Sequence, residues 1–137
     1  MRNASRLRSE GVLRENVVRD KSKAFALRII RMYQFLCSEK KEFVLSKQVL
    51  RSGTSIGANV REGDRAQSKA EFIAKINIAL KEADETQYWL ELFYESGTIS
   101  EAMFTSMNQD CEELIRLLVS IIKSTHQSRS TKQPTKS

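Results

Sequence analysis

Apolar residues recur every three or four positions in four blocks between Phe25 and Ile122, and no proline interrupts them, because the single proline, Pro134, lies near the end. That spacing gathers side chains on one face of an α-helix at 100° per residue. No period-two alternation marks a strand, and no internal repeat is visible. The glycines are few and separated, and Ala, Leu, Ile, Lys, Glu and Arg dominate. These residues enter a helix at little cost. A chain of 137 residues suits one domain with a real core.

Four helices are predicted. The first runs from about Asp20 to Glu39, with Asp20 or Ser22 as cap and Phe25, Ile29, Met32 and Leu36 on one face. Lys40–Val44 connects it to a second, from Leu45 or Ser46 to Glu62, whose apolar face carries Val49, Gly53, Ile56, Gly57 and Val60. Gly63 suits a C-terminal cap there. Ser68-Lys69-Ala70-Glu71 is a capping box that opens the third helix. Its inner face is Phe72, Ile76, Ala79, Leu80, Ala83, Leu90 and Tyr94, and Gly97 ends it. The fourth starts near Ser100 and carries Met103, Phe104, Met107, Cys111, Leu114, Ile115, Leu118, Ile121 and Ile122. From Ser124 the sequence STHQSRSTKQPTKS is polar and aperiodic, so 124–137 reads as a disordered tail. Short connections between amphipathic helices imply an all-α, antiparallel up-and-down four-helix bundle over 20–123.

Within this pattern, Arg51–Phe72 reads RSGTSIGANVREGDRAQSKAEF and holds three of the five glycines. It has the small polar residues of a phosphate-cradling loop, yet neither G-x-x-x-x-G-K-[ST] nor G-x-G-x-x-G after a strand occurs. Gly53 and Gly57 fall on the helix's apolar face, where they admit a close neighbour. With Asn59 they are the expected helix-packing positions.

The net charge of +6 is unevenly spread. Residues 1–19 carry five arginines against two glutamates, +3; residues 123–137 carry four cations and no acid, +4; residues 20–122 therefore sum to −1. The first 19 residues form a basic, partly ordered N-terminal segment. Basic ends of this kind meet nucleic acid or another acidic surface, or simply solubilise the chain. No apolar run approaches a membrane span, and no apolar h-region follows the N-terminal arginines, so no membrane or secretory route is expected. Cys37 and Cys111 sit in apolar helical patterns, as core thiols of a cytoplasmic protein do.

Catalysis has little to work with. The one histidine, His126, lies in the polar tail, and neither cysteine has a histidine partner. Glu71 and Glu82 share a face, but the Glu-x-x-His motifs of a di-iron bundle are absent. No enzyme, metal or cofactor is expected.

Binding is the better expectation. On the second helix Lys47, Arg51, Thr54, Ala58, Arg61 and Arg65 fall within roughly 80° at 100° per residue. Lys47, Arg51, Arg61 and Arg65 are the candidate nucleic-acid contacts, tracking RNA or DNA phosphates without reading sequence. On the third helix Ile78, Trp89, Leu92 and Phe93 lie off the inner face, as do Leu27 and Phe35 on the first. A second apolar sector with a tryptophan marks an oligomer interface. The alternative is a protein–protein interaction module without nucleic-acid affinity.

SGTSIGANVREG, then SKAEF, then IALKEADETQYWLELFYESG resembles the four-helix-bundle proteins encoded within intervening sequences of bacterial large-subunit ribosomal RNA genes. The resemblance covers about 16–125, through Ser55, Ile56, Asn59, Glu62, Gly63, Ser68, Glu71, Phe72, Glu82, Glu85, Tyr88 and Leu90. It implies a small bundle assembled as a homopentamer. More distantly, the implied fold looks like the accessory protein of diversity-generating retroelements, a basic pentameric barrel that binds a reverse transcriptase and nucleic acid. Those relatives are basic on the barrel, whereas residues 20–122 here are slightly acidic. Together with the missing catalytic groups, the reading is a non-enzymatic accessory or scaffold, with RNA, DNA, a reverse transcriptase or another protein as partner.

Overall fold

The computed structural model describes the backbone from Arg2 to Lys132 and the side-chain surroundings of Gly11 and of 13–126. It contains helices α1 (Arg2–Ser38), α2 (Leu45–Asp64), α3 (Lys69–Glu95) and α4 (Glu101–Lys132). Among the described residues there is no strand. Each helix packs on two others: α1 on α2 and α4, and α3 on α2 and α4. The result is a four-helix bundle with its core along the central axis.

The core repeats more strictly than the 100° wheel implies. Buried positions on α1 are Val18, Ser22, Phe25, Ile29, Met32 and Leu36; on α2 they include Ser46, Val49, Gly53, Ile56, Val60 and Gly63. On α3 they include Ile76, Ala79, Ala83, Thr86, Leu90 and Phe93; on α4, Met107, Cys111, Leu114, Leu118 and Ile121. Steps of three and four alternate throughout, a 3.5-residue repeat. Such a stripe drifts by about 20° per heptad against a straight helix. Over the three heptads of α3 that drift brings Phe93 inward and leaves Tyr94 at the surface, reversing the expected assignment of both.

The same repeat corrects Gly63. It is a buried position inside α2, and the helix closes two residues later with Arg65 as C-cap. A Cβ on Gly63 would sit 3.4 Å from the Lys75 Cβ, in ordinary contact with α3. The left-handed conformation appears instead at Gly97 (φ 75°), just past the end of α3.

The caps follow local chemistry. Ser68 Oγ accepts from the Glu71 N–H at 3.1 Å, while the Glu71 carboxylate accepts from the Gln67 N–H at 2.9 Å, one residue before the position expected for a capping box. Ser100 Oγ accepts from the Met103 N–H at 3.1 Å. The cap of α2 has no counterpart in the predicted scheme. Glu42 reaches forward from the connection, its carboxylate accepting from the N–H groups of Leu45 (3.0 Å) and Ser46 (2.6 Å).

Both outer helices are longer than predicted. α1 begins at Arg2 and not near Asp20, and α4 passes Ser124 and continues to Lys132. Between Ser124 and Lys132 no proline or glycine stops the helix, and the polar residues there tolerate it. Residues 133–137 of the expected tail lie outside the described residues.

Candidate nucleic-acid interface

The α2 cations are separated along the helix axis. Lys47 and Arg61 are 14 residues apart, about 21 Å at the rise of an α-helix. Lys47 is exposed near the start of α2. Arg51 is engaged: Nη1 donates to Glu82 Oε2 at 3.1 Å, and Nη2 pairs with Glu85 Oε2. The Trp89 indole N–H donates to the same Glu85 oxygen at 3.2 Å. Arg51 therefore ties α2 to α3. Arg61 and Arg65 stay exposed at the far end of α2.

That end collects further cations. Arg19 of α1 lies 3.7 Å from Asp64 of α2, and Lys21 lies 2.7 Å from Glu113 of α4. These ion pairs hold the middle of α1 against the α2 terminus on one side and against α4 on the other. Between α1 and α4 lies a groove of about 500 Å³ lined by Arg14, Ile115, Arg116, Val119, Ser120, Lys123 and Ser124. It holds three cations and no carboxylate among the described residues. Two acids sit nearby. Burial first, and the neighbouring Asp64 second, push the Glu15 carboxyl above its ordinary value. Burial also raises Asp64, although Arg19 and Arg61 pull it the other way. Periodicity in α2 pointed to Arg61 and Arg65, but the α1 and α4 cations belong to this end only through tertiary contacts, which no local spacing encodes.

The expected oligomer residues divide. Ile78 is 40% exposed, and Trp89 and Leu92 are half-buried. Phe93, 1% exposed, belongs to the chain's own core and offers no outward face. Of the expected packing positions, Gly53 and Gly57 face α1, where added Cβ atoms would lie 2.6 Å from Ile29 Cγ1 and 3.3 Å from Ser22 Oγ. Asn59 turns to its own helix and donates to the Ser55 carbonyl at 2.8 Å.

The thiols also differ. Cys111 is buried and donates to the Ala83 carbonyl at 3.3 Å; burial pushes its pKa up to about 12, with Asp84 and other acids adding to the shift. Cys37, expected in the core, is half-buried. His126 is exposed on the last turns of α4. Among the described residues no group of three or more His, Cys, Asp or Glu is placed to hold a metal. No helix among them is long and apolar enough to cross a membrane.

Residues 14–120 match the family described as 23S rRNA-intervening sequence protein. The chain belongs to this family. It is similar to a crystal structure from Bacteroides thetaiotaomicron VPI-5482, described as a protein with unknown function from the S23 ribosomal protein family. The two share 59% identity, with a TM-score of 0.80, over 80% of this chain and 98% of the other. No curated protein matches the chain. The matched span of this 23S rRNA-intervening sequence family member starts at Arg14 and includes Arg61, Arg65 and Arg116, but not Lys123.

Proposed function

We propose that this protein is a non-enzymatic accessory or scaffold that binds RNA or DNA phosphates through the end of the bundle where Arg14, Arg61, Arg65, Arg116 and Lys123 gather. The observation that carries this reading is the convergence of cations from three helices on one end, which the basic segments 1–19 and 123–137 also flank in sequence. Several cations neutralising several phosphates give affinity that falls steeply with salt and carries no base readout. Lys47 and Arg51 take no part: one is distant and the other is held by carboxylates.

An antiparallel up-and-down topology is part of the proposal. Contacts support it by running in opposite sequence order: Ile29 with Gly53 and Ser22 with Gly57, Arg28 with Asp110 and Lys21 with Glu113. A cytoplasmic homo-oligomer, with a pentamer favoured, completes it. Leu13, Val17 and Leu27 form an exposed stripe on α1 away from its core face, and Phe43, Val44 and Leu45 are exposed in succession where α2 begins. Such apolar surface suits burial between copies. It also favours the second reading, a protein-interaction module without nucleic-acid affinity.

The test titrates labelled single-stranded RNA at two salt concentrations. Binding that weakens with salt and drops about tenfold or more in R61E/R65E, but less than about twofold in K47E, supports the reading. No binding at low salt overturns it in favour of the interaction module. Light scattering tests the assembly, because a monomer at 15.7 kDa would contradict it.

A further inference from the structure

We propose that the α1–α4 groove is a pocket for a phosphomonoester, the doubly charged phosphate at the end of an RNA strand. This rests on the reading of the basic end as a nucleic-acid surface and gives that surface a specific subsite.

Charge is the first argument. Arg14 comes from α1, and Arg116 and Lys123 come from α4, two turns apart on one face. Arg19, Lys21, Arg28 and Arg51 are each committed to a carboxylate on another helix. Among the described residues the groove cations have no ion pair and no acid lines the groove. A phosphodiester inside a strand carries one negative charge, whereas a monoester carries about 1.5 to 2 near pH 7. Three converging cations match the monoester.

Shape and donors are the second argument. The volume of about 500 Å³ falls within the range of small-ligand sites, about 300–1,000 Å³. That is the scale of a terminal nucleotide, not of a length of strand. Arg14 and Arg116 can present guanidinium forks to phosphate oxygens, and Lys123 adds a point charge. Ser120 and Ser124, one turn apart on the same face, bring hydroxyl donors. Ile115 and Val119 give the groove an apolar floor on which the terminal sugar and base would lie.

The test uses the full chain and one RNA sequence with three ends: a 5′-phosphate, a 3′-phosphate, or hydroxyls only. A phosphorylated end is expected to bind about tenfold tighter than the hydroxyl form. R14Q/R116Q, and independently K123Q, should weaken phosphate-ended RNA by about tenfold more than hydroxyl-ended RNA, so that the difference between the ends disappears, with circular dichroism confirming the fold. Competition by a nucleoside monophosphate but not by inorganic phosphate places sugar and base on the apolar floor; equal competition by both overturns that part. Equal affinity for all three ends overturns the pocket and leaves the backbone-binding reading intact. Binding of phosphorylated RNA alone keeps the pocket and overturns the backbone reading. Equal weakening of every RNA by the groove variants overturns the pocket.

Discussion

Gly53 of α2 faces Ile29 of α1 so closely that a Cβ on the glycine would lie 2.6 Å from Ile29 Cγ1 and 2.8 Å from Cγ2. Both atoms branch from the Ile29 Cβ, and a β-branched side chain in a helix has essentially one χ1 rotamer. Gly53→Ala gains about 1 kcal/mol of helix propensity. Overpacking costs about 1–3 kcal/mol, so a net loss of stability is expected. In the Ile29→Ala background the same substitution should become neutral or stabilising. A double-mutant cycle by urea unfolding measures the coupling; additive effects would contradict the close approach.

Glu42 should be worth a helix cap. Removing its carboxylate with Glu42→Ala is expected to cost about 1 kcal/mol. Burial works to raise the Glu42 pKa, but the N–H groups of Leu45, Ser46 and Val44 together hold it below the ordinary value of 4.5. A lowered folded-state pKa means stability present above the unfolded value and lost as pH falls through the folded one. The wild type should therefore lose stability faster than Glu42→Gln below pH 4.5, which denaturant midpoints across that range will reveal.

Arg51 should matter to the bundle and not to RNA. Arg51→Ala removes partly exposed ion pairs to Glu82 and Glu85, at a cost of roughly 1 kcal/mol or less. RNA affinity should stay within about twofold, in contrast to R61E/R65E. A tenfold loss in Arg51→Ala, with the fold retained by circular dichroism, would return this residue to the interface.

The two thiols should separate in rate. Cys111 is buried, and its pKa of about 12 leaves almost no thiolate at pH 8. A disulfide reagent should label Cys37 first, while Cys111 reacts only as the bundle opens. Its rate should rise with urea and match amide exchange of α3 and α4. Equal rates for both cysteines in native buffer would contradict the burial.

Much of this fold was legible in local spacing. Phe25, Ile29, Met32 and Leu36 on α1, and Cys111, Leu114 and Leu118 on α4, lie in the core as their periodicity predicts. Ser68 and Ser100 act at the helix starts. What escaped depended on the drift between 3.5 and 3.6 residues per turn, which is small over one heptad but large by Phe93. Gly63 shares the face of Val49, Ile56 and Val60, but glycine so often ends a helix that its type points to a cap. Glu42 was missed because a carboxylate reaching forward from a connection leaves no short motif. For the site, Arg61 and Arg65 could be picked from one helix. The commitment of Arg51 to Glu82, and the meeting of Arg14 with Arg116 and Lys123, depend on pairs distant in sequence, and no wheel of a single helix contains them.

The alternating steps of three and four have a consequence for how this chain can vary. One residue inserted into any helix would turn every later side chain by about 100°, carrying core leucines into water on one side of the bundle. Length can therefore change cheaply only in 39–44, 65–68 and 96–100, or beyond the two outer ends. The four helices are locked in phase like meshed gears, and the basic end, built from three of them, keeps its cations together only while that phase holds.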